Sequence, residues 1–200
     1  MHTQTISAYR FADYLAVERE STEVRHEYVQ GQVFAMTGGS YEHSLITANL
    51  ARRLGNQLEG GPCVVLSSDM RIRIETADAC AYPDVSVLCG DPVFHDQRRD
   101  VLTNPTLIAE VISPSTEAYD RGGKFALYRQ LPSLRHYLLI AQDRIAVDVF
   151  TRQADGRWLL DAFADADAVI ALEGLDCRPA VRELYDRVEF GAGEDAAGED

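Results

Sequence analysis

The sequence predicts one mixed domain of the α/β (α+β) class, with a mixed central β-sheet flanked by helices, and three observations carry that expectation. A long stretch, residues 40–58, sets apolar side chains at helical spacing. The chain between residues 63 and 112 then changes to short, β-prone apolar runs. After those strands comes a second helical stretch, residues 117–131, and further strands follow it.

Taken in order, residues 9–19 read as a first helix, with Phe11, Tyr14, Leu15 and Val17 in mostly helical spacing. Residues 27–36 hold two β-prone runs around Gln30-Gly31, which predicts a hairpin. In residues 40–58, Leu45, Ile46, Leu50, Leu54 and Leu58 form one stripe, and Gly60-Gly61-Pro62 stops the helix. Residues 63–66 form a strand. In residues 70–74, Met70, Ile72 and Ile74 take one face, while Asp69, Arg71 and Arg73 take the other. Tyr82-Pro83 leads into a strand at 84–88, and 106–112 is an apolar strand entering the turn Ser113-Pro114-Ser115. The helix at 117–131 contains Phe125, Tyr128 and Leu131. Strands at 135–141 and 145–151 follow, joined tightly at Gln142-Asp143-Arg144, then a strand at 158–162 and a closing helix at 181–188.

A chain of 200 residues can bury one sizeable core. Residues 1–190 are expected to form a single domain, and the Gly/Ala/Glu/Asp stretch 191–200 an acidic disordered tail. No apolar run is long enough to cross a bilayer. The opening residues lack a charged segment followed by an apolar one, so the expected compartment is the cytoplasm. Cys63, Cys80, Cys89 and Cys177 include no CxxC pair and match no zinc spacing. Three of the four sit in or beside apolar strand-like segments and are expected to be reduced thiols in or near the core. The net charge of −13 argues against strong, sequence-independent affinity for nucleic acid.

The chemistry centres on Glu110. Its neighbours Leu107, Ile108, Ala109, Val111 and Ile112 are apolar, and period-two alternation sets it on one face with Ile108 and Ile112. Burying an unpaired charge there would cost several kcal/mol, so a partner is required. An arginine in a salt bridge and a bound cation are equally good partners on this evidence. Asp84, after Pro83, begins a strand. By itself it is a turn or strand-start residue; beside Glu110 it could complete an all-oxygen site for Mg²⁺. Lys124 shares a helical face with Asp120 and Tyr128. That face is either a solvent-exposed ion pair or turns toward the carboxylates, where the ammonium would stabilise charge on a phosphate.

Three ordered segments carry a resemblance. They are Tyr82-Pro83-Asp84-Val85-Ser86-Val87, the run Asn104 through Thr116, and Tyr119-Asp120-Arg121-Gly122-Gly123-Lys124-Phe125 with Tyr128. Upstream are His26-Glu27-Tyr28, Met36-Thr37-Gly38-Gly39, His43 and Ser67-Ser68-Asp69-Met70-Arg71; downstream is the run Leu131 through Leu139. Together they resemble the Uma-two family, assigned as restriction endonucleases of the PD-(D/E)XK superfamily, over roughly residues 9–185. The resemblance implies a restriction-endonuclease-like core with Asp84 and Glu110 as metal ligands and the Val111 carbonyl as a third. The lysine of the superfamily's short motif, two residues after the glutamate, is replaced by Ile112, and Lys124 matches the position to which it migrates. His43, Asp69 and Arg121 are expected to contact substrate; Glu27, Asp120 and Tyr128 are expected to support the site.

The expected function is therefore a Mg²⁺-dependent (or Mn²⁺-dependent) endonuclease hydrolysing DNA phosphodiester bonds, with Asp84, Glu110 and Lys124 as catalytic residues. A homodimer is expected, because two-fold symmetry suits the cutting of two strands. The rival is a catalytically weak nuclease fold serving as a nucleic-acid or protein binding module, favoured by the acidic charge and the missing strand lysine.

Overall fold

A computed structural model describes residues 9–190; the expected disordered tail, 191–200, lies outside the described residues, as do residues 1–8. Helix α1 (Phe11–Glu20) precedes a hairpin of β1 (His26–Val29) and β2 (Gln32–Ala35), and α2 (Tyr41–Leu58) follows. Strands β3 (Cys63–Ser67), β4 (Arg71–Ile74), β5 (Ala79–Ala81), β6 (Val85–Cys89), β7 (Val101–Leu102) and β8 (Leu107–Ile112) come next. A π-helical turn (Tyr119–Lys124) runs into α3 (Phe125–Tyr128). Strands β9 (His136–Ala141), β10 (Val147–Arg152) and β11 (Trp158–Phe163), with the short α4 (Val181–Leu184), complete the fold.

Local chemistry explains the boundaries. Gln30 and Gly31 both take positive φ (49° and 86°), as a tight two-residue hairpin with right-twisted strands demands. Ser40 caps α2, its side chain accepting from the His43 backbone N–H at 3.1 Å. On α1 the inward stripe is Phe11, Tyr14, Leu15 and Glu18, a strict i, i+3, i+4, i+7 series. Val17, expected in that stripe, is instead 63% exposed. Glu18 can be buried because it accepts from the His26 N–H and from the Tyr82 hydroxyl.

The expected mixed sheet is divided in two. A five-stranded sheet runs β2-β1-β5-β4-β7 and a six-stranded sheet runs β11-β10-β9-β8-β6-β3. Each is mixed: β4–β7 and β8–β9 pair in parallel, and the other pairs are antiparallel. Strands β5 and β7 were not legible as strands; they have three and two residues and form through pairing with β1 and β4. Alternation on β8 divides the core. Leu107, Ala109 and Val111 pack with Ile46, Leu50 and Leu54 of α2. Ile108 and Ile112 face the other way, toward Ile72, Ile74 and Tyr128. Glu110 shares that second face, in the layer between the sheets, as its parity predicts.

The cysteine expectation needs correction. Cys63 and Cys89 are cross-strand partners on β3 and β6 and are joined as a disulfide. Only Cys80 and Cys177 are free among the described residues, and both are buried. Bridging depends on the β3–β6 register, and a separation of 26 residues carries no sign of it.

Candidate active site

The site sits where β6 and β8 meet the helical segment after β8. Glu110 stands in the middle of a fully buried strand and is itself 3% exposed. Val85 pairs with Ala109 and Ser86 with Ile108, so continuing this register sets Asp84 across from Glu110. Pro83, which cannot donate to a ladder, suits the position just before the strand. Asp84 Oδ2 accepts from the Val111 N–H at 2.7 Å, which ties the start of β6 to β8.

Lys124 reaches the same place from the π-helical turn. Its Nζ lies 3.2 Å from Glu110 Oε1, 3.3 Å from Glu27 Oε1 and 3.4 Å from Asp120 Oδ1. π-turns are rare and occur often at functional sites. This one carries Asp120 and Lys124 together, with the Asp120 carbonyl held by the Tyr137 hydroxyl at 2.9 Å. Tyr128 donates to Glu110 Oε1 at 2.9 Å. Ile112, where the short motif would place its lysine, is buried in the second core face. His43, one turn into α2, sets Nε2 3.2 Å from Asp84 Oδ2.

Four carboxylates (Glu27, Asp84, Glu110, Asp120) therefore meet one ammonium and one imidazole. Burial pushes the Glu110 carboxyl up to about 8; Lys124 opposes this rise, and Asp84, Asp120 and Glu27 add to it. Burial alone would lower Lys124, but Glu110, Glu27 and Asp120 outweigh burial and raise it, so the ammonium stays charged. The hydrogen bond to Asp84 raises His43 against its own burial. Burial, reinforced by Glu110, lifts the Tyr128 phenol well above its ordinary value.

The donor set suits a hard divalent cation. All of the candidate ligand atoms are oxygens, and protein hydrogen bonds engage one oxygen each of Asp84 and Glu110. Glu27 Oε1 is buried without a hydrogen bond, although the Lys124 ammonium is in ion-pair contact with it. Among the described residues no three acidic, histidine or cysteine side chains converge as a ready metal cage. Asp84 and Glu110 each leave one oxygen free of protein hydrogen bonds, which fits the one or two carboxylates, with water, that Mg²⁺ usually takes.

A cleft of about 440 Å³ opens over these groups. Its walls are the β1–β2 hairpin (Glu27, Phe34, Met36), the loop from Thr37 to Ser40, the turn after β8 (Ser113, Ser115, Thr116) and the π-turn (Tyr119, Asp120, Lys124). Of the expected site residues, Asp84, Glu110, Val111, Lys124, His43, Glu27 and Asp120 all line it. Tyr128 lies beneath, on Glu110. Asp69 and Arg121 are not in the cleft wall. Asp69 is exposed and pairs with Arg25. Arg121 pairs with Asp148 of β10 and with Glu117. Of the charged face of β4, Arg71 bonds Tyr82 and Asp100, and Arg73 lies over the Phe11 ring at 3.7 Å. Phe34 and Tyr119 escaped sequence reasoning as cleft residues. The one available signal was the pairing of Phe34 with Glu27 in the predicted hairpin.

Comparison with known proteins agrees with this architecture. A family model, Uma2, described as "Putative restriction endonuclease", matches residues 11–179. An uncharacterized Synechocystis protein, slr1290, is 40% identical over 179 residues, covering 89% of this chain and 92% of the relative. A second, sll1609 from the same organism, is 37% identical over 159 residues, covering 80% of this chain and 89% of the relative. A crystal structure from Anabaena variabilis, titled as a putative nuclease belonging to DUF820, superposes with a TM-score of 0.73. It covers 88% of this chain and 97% of its own at 16% identity, which speaks to the fold alone.

Proposed function

The chain belongs to the Uma2 family, and from that premise we propose that it is a divalent-cation-dependent endonuclease hydrolysing DNA phosphodiester bonds. One observation carries the proposal: Lys124 Nζ, Glu110 and Asp84 gather at one cleft although they come from three separate segments. Asp84 and Glu110, with the Val111 carbonyl, would hold Mg²⁺ or Mn²⁺. Such an ion would supply charge neutralisation at the phosphate and a more acidic water.

The remaining chemistry belongs to the chain's own side chains. Lys124, fixed by three carboxylates, presents a permanent positive charge beside Glu110, suited to orient the attacking water and to stabilise the phosphorane-like charge. Glu27 and Asp120 hold that ammonium in place. His43 orients Asp84 from the rim. Tyr128 fixes the Glu110 carboxyl by its hydroxyl. The substrate is DNA, and a two-fold dimer would bring one site to each strand. No helix among the described residues is long and apolar enough to cross a membrane.

A second reading, a weakly catalytic binding module on the same fold, is favoured by the net charge of −13 and by Ile112 standing where the strand lysine would be. Plasmid cleavage with Mg²⁺ or Mn²⁺ separates the two. Nicking that needs the cation and is lost in both Glu110→Ala and Lys124→Ala supports the hydrolase. Nicking that survives Glu110→Ala overturns the assigned site, and a native protein that does not cut leaves the binding module standing.

A further inference from the structure

Two of the larger exposed hydrophobic side chains stand in the cleft wall. Phe34 is 47% exposed and Tyr119 is 44% exposed. Phe34 is the cross-strand partner of Glu27, so both side chains stand on one face of the β1–β2 hairpin, with Cβ atoms about 5 Å apart. Glu27 reaches Lys124 on that face, and so the Phe34 ring stands beside the carboxylate cluster. Met36, two residues on, lines the same cleft. Tyr119 lines the same cleft from the π-helical turn. A Cβ at position 123 would lie 2.6 Å from its Cδ2 and 2.7 Å from its Cε2, so the bare backbone of Gly123 is the seat of the ring. Tyr119 is thus backed on one side and open on the other.

The charges around the rings define what can lie there. The cationic side chains of the cleft wall are Lys124 and His43, and both are already paired with carboxylates. Arg121 is committed to Glu117 and Asp148, away from the cleft. A duplex held along its backbone needs a row of free cations, one for each phosphate contacted. This cleft has no such row among the described residues. It offers instead one point for a phosphate, between apolar faces, in a space of about 440 Å³. Unpaired bases stack on aromatic side chains with little dependence on sequence, at about 1–3 kcal/mol per base.

We propose that Phe34 and Tyr119 form a base-binding subsite, so that the cleft takes an unpaired nucleotide of a DNA strand, single-stranded or locally opened, rather than an intact duplex. This deepens the hydrolase reading and rests on it for the position of the phosphate. The base lies against Phe34 on the hairpin side and Tyr119 on the helical side, and its phosphate lies over Glu110 and Lys124. The subsite favours DNA ends, gaps and loops, where no energy is spent on unstacking a pair.

The test measures binding without turnover. A fluorescently labelled single strand and the matching duplex are titrated, with Ca²⁺ in place of Mg²⁺, against the native protein, Phe34→Ala, Tyr119→Ala and Phe34→Tyr. Leu159→Ala, which removes an exposed side chain of β11, serves as control. Circular dichroism establishes that each variant is folded. The native protein should bind the single strand more tightly than the duplex. Each alanine variant should lose about 5- to 150-fold of the single-strand affinity, with little change toward duplex, and Phe34→Tyr should keep it. Equal or tighter duplex binding, or single-strand affinity unmoved by both alanine variants, overturns the subsite. Cleavage of the same labelled single strand with Mg²⁺ is scored separately. Aromatic-dependent single-strand binding without any cleavage would refute the hydrolase and leave the subsite. Cleavage at the native rate by both alanine variants would do the reverse.

Discussion

Lys124→Met removes the ammonium and keeps the apolar stem, and its cost can be worked from the contacts. The Lys124 side chain is 11% exposed and touches Glu110, Glu27 and Asp120 at 3.2, 3.3 and 3.4 Å. Removing one partner of a buried ion pair costs about 3–5 kcal/mol, because the other charge is left without an offset. Here three carboxylates lose their shared cation, so the upper part of that range applies. A chain of this size loses about 2–4 °C of Tm per kcal/mol, which puts the expected drop, for about 4–5 kcal/mol, at about 8–20 °C. Thermal melts by circular dichroism at neutral pH read it directly. Adding Glu110→Gln to the Lys124→Met background should change the melt little at neutral pH, since without the ammonium the Glu110 carboxyl, already raised to about 8, holds its proton and Gln keeps an acceptor for Tyr128. A Lys124→Met melt within about 2 °C of native would refute the reasoning: the carboxylates would then not depend on this ammonium.

Other predictions follow from the same contacts. Gly122→Ala meets nothing within 4 Å and should gain up to about 1 kcal/mol, whereas Gly123→Ala must push the Tyr119 ring off its seat and should melt lower than Gly122→Ala; the reverse order in paired melts would mean that the ring does not pack there. Asp100 accepts from Arg19 at 2.6 Å and Arg71 at 3.0 Å, tying α1 to the edge of the five-stranded sheet, and Arg19 above all holds its carboxyl below the ordinary value of 3.8. A depressed carboxyl contributes stability that is whole above its unfolded pKa and is lost as pH falls through the lower folded one. Asp100→Asn should therefore cost about 1 kcal/mol at neutral pH and progressively less below about pH 4; urea midpoints across that range check it, and a deficit independent of pH would contradict it.

Much of the site could be read from local pattern because its parts depend on parity and punctuation. Period two on residues 106–112 sets Glu110 with Ile108 and Ile112, and that is the face it takes. Pro83 marks the strand start that holds Asp84. The spacing of Asp120, Lys124 and Tyr128 puts them on one side, although the segment winds as a π-turn before it becomes α3. What could not be read depends on contacts between segments distant in the chain. Glu27 joins the cluster only because the hairpin packs across the layer between the sheets. Asp69 and Arg121, both plausible by pattern, are drawn off by Arg25 and by Asp148, partners 44 and 27 residues away. The Cys63–Cys89 bridge likewise follows from strand register rather than spacing.

The buried glutamate had two admissible partners on sequence grounds, an arginine or a cation, and the geometry makes that choice less exclusive than it looked. Its partner is a lysine, so burial is offset by an ion pair after all. A structural pair, however, satisfies itself: one cation for one acid, with remaining lone pairs met by hydrogen bonds. Here one ammonium serves three carboxylates, and a fourth has only His43 and the Val111 N–H. The cluster stays net negative, and Glu27 Oε1 has no hydrogen bond in a place closed to bulk water. Stability alone would favour trimming such an excess. Its presence at the floor of a cleft bordered by the Phe34 and Tyr119 rings supports a role for those oxygens toward a cation. On that argument Lys124 has two tasks that pull apart. It holds the acids together, and it would have to yield part of Glu110 to a bound ion.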